Sequence, residues 1–226
     1  PIILSNLSRV LMSVVDVAMV GRLGSEALAA TGMGSMIFWG ALSISIGIRT
    51  AVQTVTARRV GQSLLRESGV ALRNGLVMAT LYSLPVSTLV WVFSEPLVCF
   101  FIDNRVATPM TKDYVSIVFI GLLFSSYSFV FQGFFTGIEK TKVHMKVTVV
   151  SNVINIYLNA GLIYGSDRVS AFFTERLSSL SFLSLFWEWA NFPALGVKGA
   201  AIATLISSIW MAAHYTLSLS SKEIKT

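Results

Sequence analysis

The chain has 226 residues, 54% of them hydrophobic and 12% charged, with a mean hydropathy of +0.72 and a formal net charge of +6. Soluble domains carry about 25% charged residues, so too few polar side chains are present to shell a water-soluble core of this length. The composition excludes a soluble globular domain and predicts a membrane protein, with a positive balance suited to anionic lipid headgroups and no aromatic–basic motif for nucleic acid.

A single cysteine, Cys99, rules out an internal disulfide framework and is read as a small apolar packing residue. The sequence opens on Pro1 and apolar residues, with neither a signal-peptide pattern nor a cleavage site, and is expected to be an excerpt from a longer chain.

A membrane-crossing helix needs about 20 predominantly apolar residues. In chain order, spans are predicted near 1–20, 34–57, 74–94, 114–137, 143–165 and 196–219. The apolar runs are too long and continuous for the alternating strands of a barrel, so the expected fold is an all-α membrane protein with six transmembrane helices.

The first span carries Asp16 inside "LMSVVDVAMVGRLGSEALAA". A buried ionisable group costs about 2.5–3.5 kcal/mol on insertion scales, which makes it a functional candidate by default. Asp16 precedes Arg22 by six residues, roughly 9 Å at the helical rise, so it sits inside the hydrocarbon but short of its middle. The bland alternative is a carboxylate solvated near a helix end. Arg9 lies on nearly the same face, where an ion pair with Asp16 would require both side chains to lean together. Arg49, near one end of the second span, is expected to snorkel. The glycines of "TGMGSM" at 31–36 follow no strand, which leaves a dinucleotide site unsupported.

The fifth span reads "VSNVINIYLNAGLIYG", with Asn152, Asn155 and Asn159 on one helical face. Their carbonyl oxygens suit a hard monovalent cation and their NH2 groups suit a carboxylate, while helix-to-helix hydrogen bonding explains the spacing equally well. The connection at 166–193 is too polar to span but rich in Phe, Leu and Trp. It is read as an amphipathic segment on the outer surface. In the sixth span, Gly196, Gly199, Ala200, Ala201 and Ala203 permit close helix approach and Thr204 adds a hydroxyl. His144 and His214 are far apart in sequence and read as helix-end or packing residues.

Orientation follows from the basic residues. One side collects Arg58, Arg59, Arg66, Arg73, Lys140, Lys142, Lys146, Lys222 and Lys225. The other holds Arg22, Arg105, Lys112, Arg168, Arg176 and Lys198, together with seven acids that include Glu95 and Asp103. Lys and Arg favour the cytoplasmic side, so both ends of the sequence are expected there, in a multi-pass protein of the cell membrane. No nucleophile elbow, Walker loop or zinc-protease motif is present, and the chain is not expected to be an enzyme.

Three stretches in order, "VDVAMVGRLGSEALAATGMG", "FFTGIEKTKVHMKVTVVSNVINIYLNAGLIYG" and "FPALGVKGAAIAT", carry a family pattern. The chain resembles the N-terminal half of a multidrug and toxic compound extrusion (MATE) transporter. That resemblance implies one six-helix lobe of a twelve-helix antiporter, with the absent C-terminal lobe as intramolecular partner and lipid as surroundings. It also implies small-molecule organic cations and amphipathic drugs as substrates, and protons or sodium ions rather than an organic cofactor for coupling. By the same resemblance, the family's first-span carboxylate matches Asp16, its fifth-span polar pair Asn155 and Asn159, its sixth-span threonine Thr204, and its helix-bending proline Pro1. Sodium, if it is the coupling ion, would sit at Asp16, Asn155 and Asn159. Some members have aspartate where Asn159 stands, Arg9 has no assignable counterpart, and the 166–193 connection exceeds the family's usual length. A lipid-linked oligosaccharide flippase of the same broad superfamily, or a membrane scaffold, is the alternative reading.

Overall fold

The computed structural model describes residues 2–102, 104–176 and 184–219, which form ten α-helices and no strand among them. Pro1, Asp103, Lys222 and Lys225, to which the sequence reading gave roles, lie outside the described residues.

Helix α1 (Ile2–Gly21) leads through a short turn into α2 (Ser25–Gly61), a rod of 37 residues that starts well before the span expected at 34. Nothing in "SEALAATGMG" breaks a helix strongly enough to stop it: its glycines each cost only about 1 kcal/mol. Helix α3 (Leu65–Val92) runs on past an internal Pro85 and is followed by the short α4 (Ser94–Phe101), which carries an exposed Cys99. Cys99 is therefore not a packing residue: α4 buries its neighbour Val98 instead, and the next position on so short a helix faces outward.

The expected fourth span is two helices. Helix α5 (Ala107–Ile120) and α6 (Leu122–Gly137) meet at Gly121 with a bend of 50°. Gly121 lies close against Ser208 and Leu205 of the last helix, where a side chain would crowd the joint. Helix α7 (Thr141–Tyr164) ends at Gly165, whose φ of +84° turns the chain into α8 (Ser166–Arg176). Helix α9 (Leu185–Ala190) then brings the chain back to α7, with Leu195 N–H on the Leu162 carbonyl at 2.8 Å, before α10 (Val197–Leu219).

Among the described residues four helices are long and apolar enough to cross a membrane (α2, α3, α7 and α10), and the bent α5–α6 pair makes a fifth. Helix α1, with 20 residues, reaches about 30 Å, the thickness of the hydrocarbon layer. Large apolar side chains face outward along these helices, as with Leu81 and Trp91, which suits contact with lipid.

Inside, three apolar clusters form among the described residues, around Phe38, Phe119 and Ile163, around Val130, Phe135 and Tyr215, and a smaller one around Leu158, Leu162 and Ala203. Hydroxyls join the helices between them: Ser45 to Ser126 at 2.7 Å, Thr80 to Tyr127 at 2.7 Å, and Tyr82 O–H to the Ala41 carbonyl at 2.6 Å. Such bonds matter in a bilayer because apolar side chains gain little by leaving lipid for one another. At the helix ends Arg59 pairs with Glu67 across the α2–α3 turn. Lys112 donates to Glu95 at 2.6 Å and holds that exposed carboxyl below its usual range.

Candidate functional site

Helices α1 and α7 run side by side in the same direction, and their polar residues meet at two levels. At the first, Asn152 Nδ2 donates to Ser8 Oγ at 2.7 Å. Two turns farther along, Asn159 Nδ2 donates to Asp16 Oδ1 at 2.6 Å and to Asn155 Oδ1 at 2.9 Å. Spacing alone allows the fifth-span amides to serve either as helix glue or as carboxylate partners. Here Asn152 joins helix to helix, whereas Asn159 holds the carboxylate.

One arrangement is left open. Asn159 is 2% exposed, both its side-chain hydrogen bonds use its NH2 group, and its buried carbonyl Oδ1 has no partner among the described residues. Buried polar atoms are nearly always satisfied, so an acceptor left free beside a carboxylate is chemically informative. Together with Asp16 and Asn155 Oδ1 it makes an all-oxygen donor set, the kind that hard cations take.

Asp16 and Asn155 open onto a half-open cavity of about 250 Å³ lined by α1, α2, α6, α7 and α10. Thr204 lines it too, with its hydroxyl donating to the Ala200 carbonyl of its own helix at 3.0 Å, so its oxygen lone pairs remain available. The close approach of α10 to α7 that brings Thr204 here depends on Gly199, where a Cβ would collide with the Leu162 carbonyl. Of the residues expected to form the site, Asp16, Asn155 and Asn159 share one hydrogen-bonded cluster, Thr204 faces the same space without bonding to them, and Pro1 lies outside the described residues.

Arg9 lines the cavity as well, yet makes no ion pair among the described residues, with Asp16 or any other acid. Seven residues of helix, about 10 Å, keep the two charges apart.

The sequence reading missed the other end of the cavity. His144 is buried there, with Nε2 2.8 Å from Gln132 Nε2, Nδ1 2.6 Å from the Tyr215 hydroxyl, and Thr148 Oγ1 at 3.3 Å. It lies in the first turn of α7 and packs against Tyr215, as a helix-end and packing residue would, and it also ties α7 to α6 and α10. A signal was present in the sequence. His144, Thr148, Ser151, Asn155 and Asn159 recur every three or four residues and, with Asn152 beside Ser151, make one polar stripe down α7.

The chain matches the MatE family model over residues 1–160. It is 31% identical over 167 residues to the probable multidrug resistance protein NorM of Photorhabdus laumondii, covering 73% of this chain and 36% of that protein. A second probable NorM, from Rhizobium meliloti, is 26% identical over 205 residues, 91% of this chain and 39% of the relative. Among solved structures, the outward-facing conformation of a multidrug resistance MATE family transporter of the MOP superfamily superposes with a TM-score of 0.79 at 20% identity, covering 97% of this chain and 43% of that one. The chain thus spans roughly two fifths of the proteins it matches. On the family match, the helical membrane fold and the shared architecture, this multi-pass membrane chain belongs to the MatE family of transporters.

Proposed function

We propose that this chain is the N-terminal lobe of an antiporter that exports organic cations and amphipathic drugs across the cell membrane in exchange for protons or sodium ions. The observation that carries the reading is the Asp16–Asn159–Asn155 cluster at the edge of a cavity between the long apolar helices, with the Asn159 carbonyl unpartnered among the described residues. Asp16 is the switch. Charged, it accepts from Asn159 and attracts a cation; neutralised by a proton or a bound cation, it releases that hold and α1 repacks against α7. Thr204 contributes an oxygen to the same space. A site near the midplane between two lobes is the usual arrangement of alternating-access transporters, so the second lobe completes the path. Both ends of the chain face the cytoplasm in this reading.

The test uses the complete protein in proteoliposomes, loaded with a fluorescent organic cation and exposed first to a proton gradient and then to a sodium gradient. Asp16→Asn keeps an acceptor oxygen for Asn159 and should fold. Gradient-driven efflux by the wild type that falls to background in this variant, with an unchanged melting temperature, is the expected result, and the gradient that drives it names the ion. A wild type that responds to neither gradient overturns the reading and favours lipid-linked substrates. An Asp16→Asn protein that still transports removes Asp16 from the mechanism.

A further inference from the structure

A second, separate space lies on the opposite flank of the α1–α7 pair. It measures about 490 Å³ and is closed on its far side by α8 and α9. Its wall is built rather than incidental. Phe173 stacks on Trp187 with ring centroids 5.4 Å apart, Trp187 Nε1 donates to the Tyr157 carbonyl at 3.0 Å, and Tyr157 O–H donates to the Phe186 carbonyl at 2.7 Å. Tyr164 closes another part of the wall by donating to the Met19 carbonyl at 2.5 Å.

The groove has a direction. At one end stand Arg22, just beyond the last residue of α1, and Arg168, in the first turn of α8. Toward the membrane interior the lining is Val15, Ala18, Ile156 and Ala160. Val15 lies about 10 Å inward of Arg22 along the helix. Among the described residues no acid lines the groove and neither arginine makes an ion pair. Two unpaired guanidiniums at headgroup level above an apolar slot complement a molecule with a phosphate at one end and a hydrocarbon chain at the other. Guanidinium is the side chain best matched to phosphate oxygens, and Trp187 suits the interfacial depth.

We propose that this groove binds an anionic phospholipid, with its phosphate between Arg22 and Arg168 and an acyl chain along Val15, Ala18 and Ile156. A free phosphate ester would use only the arginines and leave the apolar slot unfilled. The lipid lies against the same two helices that carry Asp16 and Asn159, but outside their cavity, and its binding does not depend on what the transporter carries.

The test is native mass spectrometry of the complete protein, released from detergent after incubation with phosphatidylglycerol, with phosphatidylcholine of the same chains, or with glycerol phosphate. Each arginine near a membrane surface favours an anionic lipid by about five-fold, so the wild type should retain phosphatidylglycerol over phosphatidylcholine by at least that factor. Glycerol phosphate should not be retained. Arg22→Gln/Arg168→Gln should abolish the preference, and Ala160→Trp, which fills the slot and leaves both charges in place, should abolish retention of both lipids; melting temperatures report that each variant is folded. Equal retention of the two lipids by the wild type overturns the proposal, as does a preference that survives in the double variant. Retention of neither lipid also overturns it and points to another segment of the protein in the groove. Retention of glycerol phosphate would reassign the arginines to a soluble anion.

Discussion

The contact between α2 and α6 and the contact between α1 and α7 solve the same problem in opposite ways. Along α2 and α6 the backbones close on each other: Gly133 lies against the Arg49 carbonyl, Gly137 lies against Thr56, and the hydroxyls of Ser45 and Ser126 bond to one another. A two-hydroxyl bond with two close-packed glycines farther along α6 has one good geometry. Along α1 and α7 the partners are a carboxylate and amides, and one amide oxygen remains unsatisfied. In the proposed function that interface changes its hydrogen bonding when Asp16 gains a proton or a cation. The comparison teaches that small residues let α2 and α6 close into a frame even beside Arg49 Nε and the Thr56 hydroxyl, which are buried without partners among the described residues. The α1–α7 seam is instead joined by a carboxylate and amides, and in the proposed function it is the one that changes.

Gly133→Ala should have the largest effect on stability. The added Cβ meets the main chain of α2 rather than a flexible side chain, so overpacking should cost about 1–3 kcal/mol. Thermal melting in detergent should show it, and transport per folded molecule should be unchanged; an unaltered melting temperature would break the picture of a rigid frame. Asn159→Ala should have the reverse profile. Interhelical hydrogen bonds in membranes average roughly 0.6 kcal/mol and reach about 1.7, so the melt moves little while gradient-driven efflux is lost. Efflux that persists in folded Asn159→Ala would make the α1–α7 amides packing devices like the hydroxyls of α2 and α6. The smallest stability effect belongs to Thr204→Val, whose lost hydroxyl serves only its own helix, within about 0.5 kcal/mol. Its transport should fall, and Thr204→Ser should restore it. Equal flux in both variants would remove the Thr204 oxygen from the cavity's function.

The helical membrane fold was legible in the sequence because it depends on composition: few charges and long apolar runs leave no other way to satisfy the backbone. Asp16 was legible for the same reason, as a charge standing where charge is expensive. The split of α5 from α6 was not, because Gly121 sits in an apolar stretch that reads as continuous and its joint is set by α10, some 85 residues later in the chain. His144 was missed because a single histidine was weighed by itself. Its place in a stripe with Thr148, Ser151 and Asn155 becomes telling only when Gln132 and Tyr215 arrive from two other helices. Arg9 shows the limit of helical-wheel arguments: sharing a face with Asp16 put both on one cavity and still did not pair them.

The length of α2 has a mechanical consequence. Its 37 residues make a rod of about 55 Å, whereas a bilayer with its headgroup regions is about 40–45 Å thick. An unbroken helix of that size reaches water at both ends, with Glu26 in its first turn and Arg58 and Arg59 in its last. Sliding it along the membrane normal would drag one of those charged ends into hydrocarbon. The rod therefore sets the depth of the whole lobe like a keel. In the proposed function the α1–α7 seam is the part that moves, sideways against this rod rather than along it.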